Sequence, residues 1–220
     1  HELNVLFRSP LFTGCRDDEG QKMAKPGNLI IRDYRYWVPL IMCFSGARPA
    51  EIAQLEIADV RQDRDIWFFH FTDEGGGDDK RLKTQSSARM VPIHSELIRL
   101  GLLEYRVTLE QNGETRMFPS AQRNAKGQMI ADFSRYFPKY LGFIGIRTDS
   151  TNHSLYSFRH GVADAYRRAG YLNSQFEFMM GHGAGDTTSR YGRLPQGILE
   201  DRKTLVEAIQ FDGLDLSHLY

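Results

Sequence analysis

Five residues of the chain carry side chains that together could do chemistry at a phosphate. Arg48 stands in SGARPAEI, Arg159 in SFRHG, His182 in MGH, and Tyr191 nine residues later in TTSRY. Lys83 lies between the two arginines, in LKTQSSARMVPI. An arginine presents a planar, permanently charged fork that matches phosphate geometry, and a lysine can give up a proton. A phenol can form a covalent phosphodiester and later be displaced. This set is typical of phosphoryl chemistry that uses no metal.

Taken in order, these segments resemble the catalytic domain of the tyrosine recombinases, the phage integrase family. That family has an arginine in a "TGxRxxE" turn, a lysine in a β-hairpin and an "HxxR" pair. A "GH" follows, with a tyrosine nine residues after that histidine. The resemblance covers about residues 28 to 195. The residues at the matching positions are Arg48 with Glu51, Lys83, Arg159, His182 and Tyr191.

The resemblance implies a role for each of these residues. Tyr191 is expected to be the nucleophile and Lys83 the general acid that protonates the leaving 5′-oxygen. The two arginines and His182 are expected to donate hydrogen bonds to the phosphate, and losing one such donor typically costs roughly 10²–10³ in rate. Glu51 is expected to support the site by orienting the first arginine or capping its helix. His160 is expected to be a buried hydrogen-bonding partner.

The sequence departs from the family pattern in two places. Tyr156 stands where the family has the histidine of "HxxR", and its phenol, with a reference pKa of about 10, is a poorer base at neutral pH. His153, one helical turn earlier, is not at the motif position, although its ring could reach the site. The hairpin is also lengthened by GGGDD, which makes Lys80 and Arg81 rivals to Lys83 as the general acid.

The elements that must position these residues are mainly helical. Apolar residues recur at steps of three and four from residue 33 to 44, and Ser45-Gly46 ends that helix. Pro39 favours a late helix start, close to the proline. Pro49 is expected to begin a second, short helix over residues 50 to 55. Further helical spacing predicts helices around 97–109, 133–141, 158–165 and 196–210.

One segment changes period and predicts a hairpin. Residues 66–71 read IWFFHF and residues 89–93 read RMVPI, an aromatic and β-branched pattern typical of strands. The acidic, glycine-rich stretch TDEGGGDD begins the connection between them. We therefore expect an α+β fold, mainly helical with a small antiparallel sheet, as in the tyrosine recombinase catalytic domain.

The chain is expected to have three parts. Residues 1–27 form a loop-rich lead-in, residues 28–195 the catalytic domain, and residues 196–220 a helix and tail that either fold back or exchange with a neighbouring protomer. The resemblance implies an additional N-terminal DNA-binding domain that completes a clamp. It also implies as partners double-stranded DNA with a specific attachment-type site, a homo-tetramer on that DNA and accessory DNA-bending proteins. The implied location is the cytoplasm of a bacterial cell or phage-infected host, at the nucleoid.

Composition limits the other classes of function. The 220 residues carry 28 basic and 28 acidic side chains, and 41% are hydrophobic, so the chain is an ordinary globular protein and not a disordered one. The longest apolar stretch is too short to span a membrane, and the N-terminus does not read as a signal peptide. Cys15 and Cys43 have no metal-ligand spacing and read as reduced thiols. No metal or cofactor is expected.

The zero net charge conceals a segregated distribution. Residues 48–79 hold three basic and nine acidic residues, a net charge of −6, whereas residues 113–170 hold nine basic and four acidic ones, a net charge of +5. Residues 80–89 add four basic residues and no acidic one. Phosphate binding depends on the local field at the contacting face, so neutrality does not exclude nucleic acid.

Three alternatives to an active recombinase stay open. Tyr156 favours a DNA-binding protein of the same fold that has weakened or lost catalysis. A type IB topoisomerase resembles the recombinases in its active site. An unrelated helical interaction domain is the third, and it would have no affinity for DNA.

Overall fold

Helices and one small sheet make up the protein, which a computed structural model describes over residues 1–73, 88–146, 153–181 and 198–220. The strands are β1 (Val60–Asp63), β2 (Ile66–Phe71) and β3 (Arg89–Pro92). They form an antiparallel sheet in the order β1-β2-β3, with Val60 opposite Phe69 and Phe69 opposite Val91. The predicted α+β class is therefore confirmed. The helices are α1 (Glu2–Phe7), α2 (Pro10–Thr13), α3 (Tyr34–Ser45), α4 (Pro49–Ala53), α5 (Ser95–Arg99), α6 (Leu102–Gln111), α7 (Ala131–Phe143), α8 (Leu155–Arg168), α9 (Asn173–Phe176) and α10 (Leu199–Glu207).

The core is organised around α3, which packs along α8. Every residue of α3 from Tyr36 to Ser45 is buried, so this helix is enclosed on all sides. Helix α8 is amphipathic and buries Phe158, Val162 and Ala165, as its spacing predicts. Helix α3 ends shortly before Arg48, and α8 contains Arg159. The packing of the two helices therefore fixes how the two arginines approach each other.

The start of α3 differs from the prediction. We expected a late start because of Pro39, but the helix begins at Tyr34 and holds the proline at its sixth position. Asp33 caps the helix by accepting a hydrogen bond from the Arg35 amide at 2.8 Å. A proline inside a helix costs about 3 kcal/mol. The burial of residues 36–38 before the proline and of residues 40–45 after it outweighs that cost.

The N-terminal segment contains more helix than predicted. Residues 1–27 were expected to be loop-rich, whereas α1 and α2 occupy most of the first 13 residues. Buried apolar residues such as Phe7 and Phe12 hold them on the core. The Tyr140 hydroxyl of α7 lies 2.5 Å from the Ser9 hydroxyl and accepts a hydrogen bond from the Leu11 amide at 3.0 Å. Tertiary packing, which local composition does not reveal, makes these short helices stable.

The C-terminal segment folds back on its own chain. Helix α10 is shorter than the predicted span of 196–210 and packs against β3. Beyond it, Leu216 and Leu219 are buried. Asn4 of α1 donates a hydrogen bond to the Gly213 carbonyl at 2.6 Å, and Arg8 pairs with Asp215 at 2.6 Å. Within the single chain, the tail therefore closes over the N-terminal helices.

Two smaller findings concern the cysteines and the helix lengths. Cys15 and Cys43 are both buried and both free. Within the described ranges, no helix is long and apolar enough to cross a membrane.

Candidate active site

Some of the predicted site residues can be placed and others cannot. The described part of the chain includes Arg48, Glu51, Tyr156, Arg159 and His160. The candidates that lie outside the described residues are Lys83 with its rivals Lys80 and Arg81, His182 and Tyr191. What the structure describes is thus the side of the predicted site that holds the two arginines, together with the backbone that leads to His182.

The turn between α3 and α4 presents Arg48. Gly46 adopts the left-handed region at φ +63°, and a Cβ there would lie 3.0 Å from side-chain atoms of Met180 and Val162, so a larger residue would be strained. Pro49 then starts α4 at the position where its missing N–H costs nothing. Arg48 is the residue just before that helix, which places its side chain at the junction of the two helices.

Glu51 holds Arg48 from inside the first turn of α4. Its carboxylate accepts a hydrogen bond from the Arg48 amide at 3.1 Å and another from Arg48 Nη1 at 2.6 Å. Arg48 Nη2 donates to the Gly181 carbonyl at 2.7 Å. The arginine fork is therefore fixed at both of its terminal nitrogens, and the residue immediately before His182 is one of its two anchors.

Arg159 approaches the same place from α8. Only 5% of it is exposed, and its Nη1 donates to the Met180 carbonyl at 2.9 Å and, in a very short contact, to the Gly46 carbonyl. Burial, together with repulsion from the Arg48 charge, lowers the pKa of Arg159 to about 10, so it is still protonated at neutral pH. The two arginines, 111 positions apart in the chain, thus converge on the same two backbone turns.

A third arginine, not among the predicted site residues, joins this cluster. Arg89 at the start of β3 is 4% exposed; it donates from Nη2 to Glu51 at 2.7 Å and from Nε to the Met179 carbonyl at 2.9 Å. Its guanidinium carbon lies 4.5 Å from the ring centroid of Phe71. The sequence held one signal for it. Strand alternation places Arg89 on the same face as Val91, which points inward.

The cluster carries more positive than negative charge. Burial alone would raise the pKa of Glu51, but the charges and hydrogen bonds of Arg89 and Arg48 outweigh it and hold that pKa below its usual value. Glu51 is therefore ionised at neutral pH, and with Arg48, Arg89 and Arg159 the four side chains sum to +2. Such a surplus in a partly buried site is suited to a phosphodiester anion.

The remaining predicted residues lie around this cluster. Tyr156 is one helical turn before Arg159, and 53% of it is exposed. His160, expected to be buried, is exposed, because the residue after Arg159 points away from the core side of α8. That prediction was wrong. His153 faces α1, with its Nε2 3.5 Å from the Glu2 carboxylate.

A cleft of about 480 Å³ opens next to Pro49, the residue that follows Arg48. Gln54 and Tyr156 also line it. Arg123 lines it and is held by hydrogen bonds to the Gly127 carbonyl at 2.8 Å and to Gln54 Oε1 at 3.1 Å. The cleft therefore has an arginine, Arg123, in its lining.

A model of the phage integrase family matches residues 23–196, which is most of the chain. No curated protein and no solved structure gives a significant match. The matched span contains all the segments that converge on the arginine cluster, together with the positions of Lys83, His182 and Tyr191. The chain belongs to the phage integrase family.

Proposed function

We propose that the protein is a site-specific tyrosine recombinase that cleaves and rejoins DNA through a 3′-phosphotyrosyl intermediate. The observation that supports this most directly is the convergence of Arg48 and Arg159 on the turn before His182, with a net charge of +2 in the cluster. A phosphodiester bound there would receive hydrogen bonds from two permanently charged forks. Preorganised donors of this kind stabilise the charge that grows on the non-bridging oxygens in the transition state.

The proposed reaction conserves the number of phosphodiester bonds. The Tyr191 oxygen attacks phosphorus, an O–P bond to tyrosine forms, and the bond from phosphorus to the 5′-oxygen breaks. Lys83 gives its proton to that leaving oxygen, and the phenolic proton passes to water. A 5′-hydroxyl of another strand then attacks the phosphotyrosine and gives its proton to Lys83; the bond from phosphorus to tyrosine breaks, and the released tyrosine oxygen takes a proton from water. Because each step exchanges one ester for another, the cycle needs no external energy source and no cofactor.

The assembly and the biological setting are part of the same proposal. Four protomers would act on two duplexes with an attachment-type site, and the reaction would integrate or excise a mobile element in a bacterial cell. The C-terminal tail would be exchanged between neighbours in that assembly. The cis contacts of Asn4 with Gly213 and of Arg8 with Asp215 are the ones that such an exchange would transfer to another subunit.

The proposal is tested by trapping the covalent intermediate. The full chain is incubated with a pool of labelled, nicked duplexes of random sequence, in which the short 5′-hydroxyl fragment diffuses away after cleavage. Denaturing gels then report protein–DNA adducts, and sequencing of the trapped DNA supplies a defined duplex for later assays. Wild type is expected to form an adduct, Tyr191→Phe none, and the control Tyr171→Phe, which alters a half-buried tyrosine between α8 and α9, a normal amount.

The alternatives give different results in the same experiments. Duplex binding without any adduct would support a DNA-binding protein that has lost catalysis, as the exposed Tyr156 in place of histidine suggests. Relaxation of supercoiled plasmid by a monomer without sequence preference would support a type IB topoisomerase. Absence of both binding and adduct would refute the proposal.

A further inference from the structure

Arg89, at the start of β3, has contacts that suggest a role in the proposed reaction, and this role rests on the proposed function. From its contacts we infer that Arg89 is a positioning residue for phosphoryl transfer: it neutralises Glu51 and anchors the turn before His182, so that Arg48 keeps both its direction and its charge for the scissile phosphate.

The geometry of Glu51 supports the first half of this role. One carboxylate oxygen accepts a hydrogen bond from Arg89 Nη2 at 2.7 Å, and the other accepts one from Arg48 Nη1 at 2.6 Å. A carboxylate with Arg48 as its sole counter-ion would cancel the charge that a phosphate needs. Since Arg89 shares Glu51, Arg48 can be held in place by a carboxylate without being neutralised by it. Removing Arg89 would lower the net charge of the cluster from +2 to +1.

The contacts with the loop before His182 support the second half. Arg89 Nε donates to the Met179 carbonyl at 2.9 Å, and Arg48 Nη2 donates to the Gly181 carbonyl two residues later. A Cβ built on Gly181 would lie 2.7 Å from Arg89 Nη1 and 3.0 Å from Arg48 Nη1. The two guanidinium groups therefore pack closely against Gly181, the residue directly before His182, and a side chain larger than that of glycine would not fit between them.

The position of Arg89 in the fold extends its influence to the hairpin. It is the first residue of β3, six positions after Lys83. Its bonds tie that strand to α4, which follows Arg48, and to the Met179 turn, whose Met180 carbonyl accepts a hydrogen bond from Arg159. A single buried side chain thus connects three of the segments predicted to carry catalytic groups. A misplacement of about 1 Å originating away from the reacting atoms can cost about 10²-fold in rate.

The test compares Arg89→Met and Arg89→Lys with Arg202→Met. Arg202 on α10 is a matched control: it is also a buried arginine, 6% exposed, and it donates to the carbonyl of Met90, the neighbour of Arg89 on the same strand. Adduct formation is measured in single turnovers on the trapped duplex at saturating protein, beside thermal unfolding and duplex affinity. Arg89→Met is expected to slow the step by about 10²-fold with little change in affinity. Arg89→Lys is expected to recover part of that rate, because it restores the charge but not the fork.

A substrate with a methylphosphonate at the scissile position separates positioning from folding. This group is neutral, so it depends less on the Arg48 charge, and the defect of Arg89→Met is expected to shrink on it. A double variant with Glu51→Gln is expected to be little slower than Glu51→Gln alone, since both changes act on the same ion pair. Equal defects for Arg89→Met and Arg202→Met, or an Arg89→Met defect that is identical on both substrates, would overturn the inference.

One readout does not depend on catalysis, so the inference can fail separately from the proposed function. The full chain is treated with phenylglyoxal and then digested, and mass spectrometry of the peptide that contains Arg48 reports how firmly that side chain is held. Arg89→Met is expected to speed the modification of Arg48, whereas Arg202→Met should leave it unchanged. If wild type forms no adduct, the recombinase proposal fails, and an unchanged Arg48 reactivity in Arg89→Met would refute the positioning role independently.

Discussion

The substitution Glu51→Gln tests the arginine cluster most directly as a source of stability. Glu51 is 4% exposed and accepts hydrogen bonds from the Arg48 amide, Arg48 Nη1 and Arg89 Nη2. Glutamine keeps the shape but leaves the buried Arg89 without its counter-ion. Breaking a buried ion pair in this way costs about 3–5 kcal/mol. For a chain of this length, each kcal/mol lowers the melting temperature by about 2–4 °C, so we expect a drop of about 6–20 °C.

The effect should depend on pH in a direction fixed by the pKa of Glu51. The pKa of this carboxyl is lowered in the folded protein, chiefly because the charges and hydrogen bonds of Arg89 and Arg48 outweigh the opposing effect of burial. Because this pKa is lower in the folded than in the unfolded protein, the ionised carboxylate stabilises the fold, and the stabilisation is fully present above the pKa of the unfolded chain, about 4.3. That stability is lost as the pH falls through the folded pKa. The difference between wild type and Glu51→Gln should therefore be constant near neutrality and shrink on acidification below about pH 4.3.

Urea unfolding from pH 7 down to pH 3 measures this difference. Glu110→Gln is the matched control, because Glu110 pairs with Arg106 at 2.9 Å across one turn of α6 but is exposed, and such pairs contribute only about 0.3–0.5 kcal/mol. A free energy of unfolding for Glu51→Gln within 1 kcal/mol of wild type at pH 7 would refute the proposed strength of the cluster. A difference that does not shrink in acid would show that the carboxylate charge is not its source.

Two other substitutions test the surroundings of the cluster. Gly181→Ala should lower the free energy of unfolding by about 1–2 kcal/mol, because φ is +74° there, and should also slow adduct formation, because the new Cβ would displace the Arg89 guanidinium. The control Gly170→Ala has φ +88° and no neighbouring atom within 4 Å of the new Cβ, so it should show the backbone strain alone. Equal adduct rates for the two variants would contradict the crowding argument. Arg123→Ala, in the cleft next to Pro49, should weaken duplex binding and lower the magnitude of the slope of log K against log salt concentration by about 1. The control Arg99→Ala, on the exposed face of α5, should leave that slope unchanged. An unchanged slope for Arg123→Ala would place the DNA elsewhere.

Local patterns in the sequence were sufficient for the elements but not for every boundary. The three-and-four spacing of α3 and α8 and the alternation of IWFFHF are local signals, and each corresponds to an observed element. Pro39 misled the placement of the α3 start, because the rule against internal proline takes no account of the burial that compensates for it. The N-terminal helices were missed for a related reason: their stability comes from α7 and from the C-terminal tail, which lie far away in the chain.

The candidate site shows the same division between local and long-range information. Arg48, Glu51 and Arg159 were predicted because they stand in short motifs that can be read along the chain. Arg89 belongs to the predicted hairpin, and nothing near it in sequence shows that its partner is Glu51, 38 residues earlier. The predicted burial of His160 is wrong, because neighbouring residues of a helix point about 100° apart and Arg159 takes the buried side of α8.

The charges of the cluster affect both the stability of the free protein and the proposed binding of a phosphodiester. A chain with no net charge concentrates three guanidinium groups around one carboxylate. Burial and the repulsion from Arg48 lower the pKa of Arg159 to about 10, which means that the free protein holds this charge at a cost. A phosphodiester anion at the cluster would relieve that repulsion, and part of the unfavourable energy of the free site would become binding energy. Removing the Arg159 charge would relieve this cost in the free protein, but it would also remove a donor that the proposed reaction needs, so the charge of Arg159 is best understood as stability given up for the proposed function.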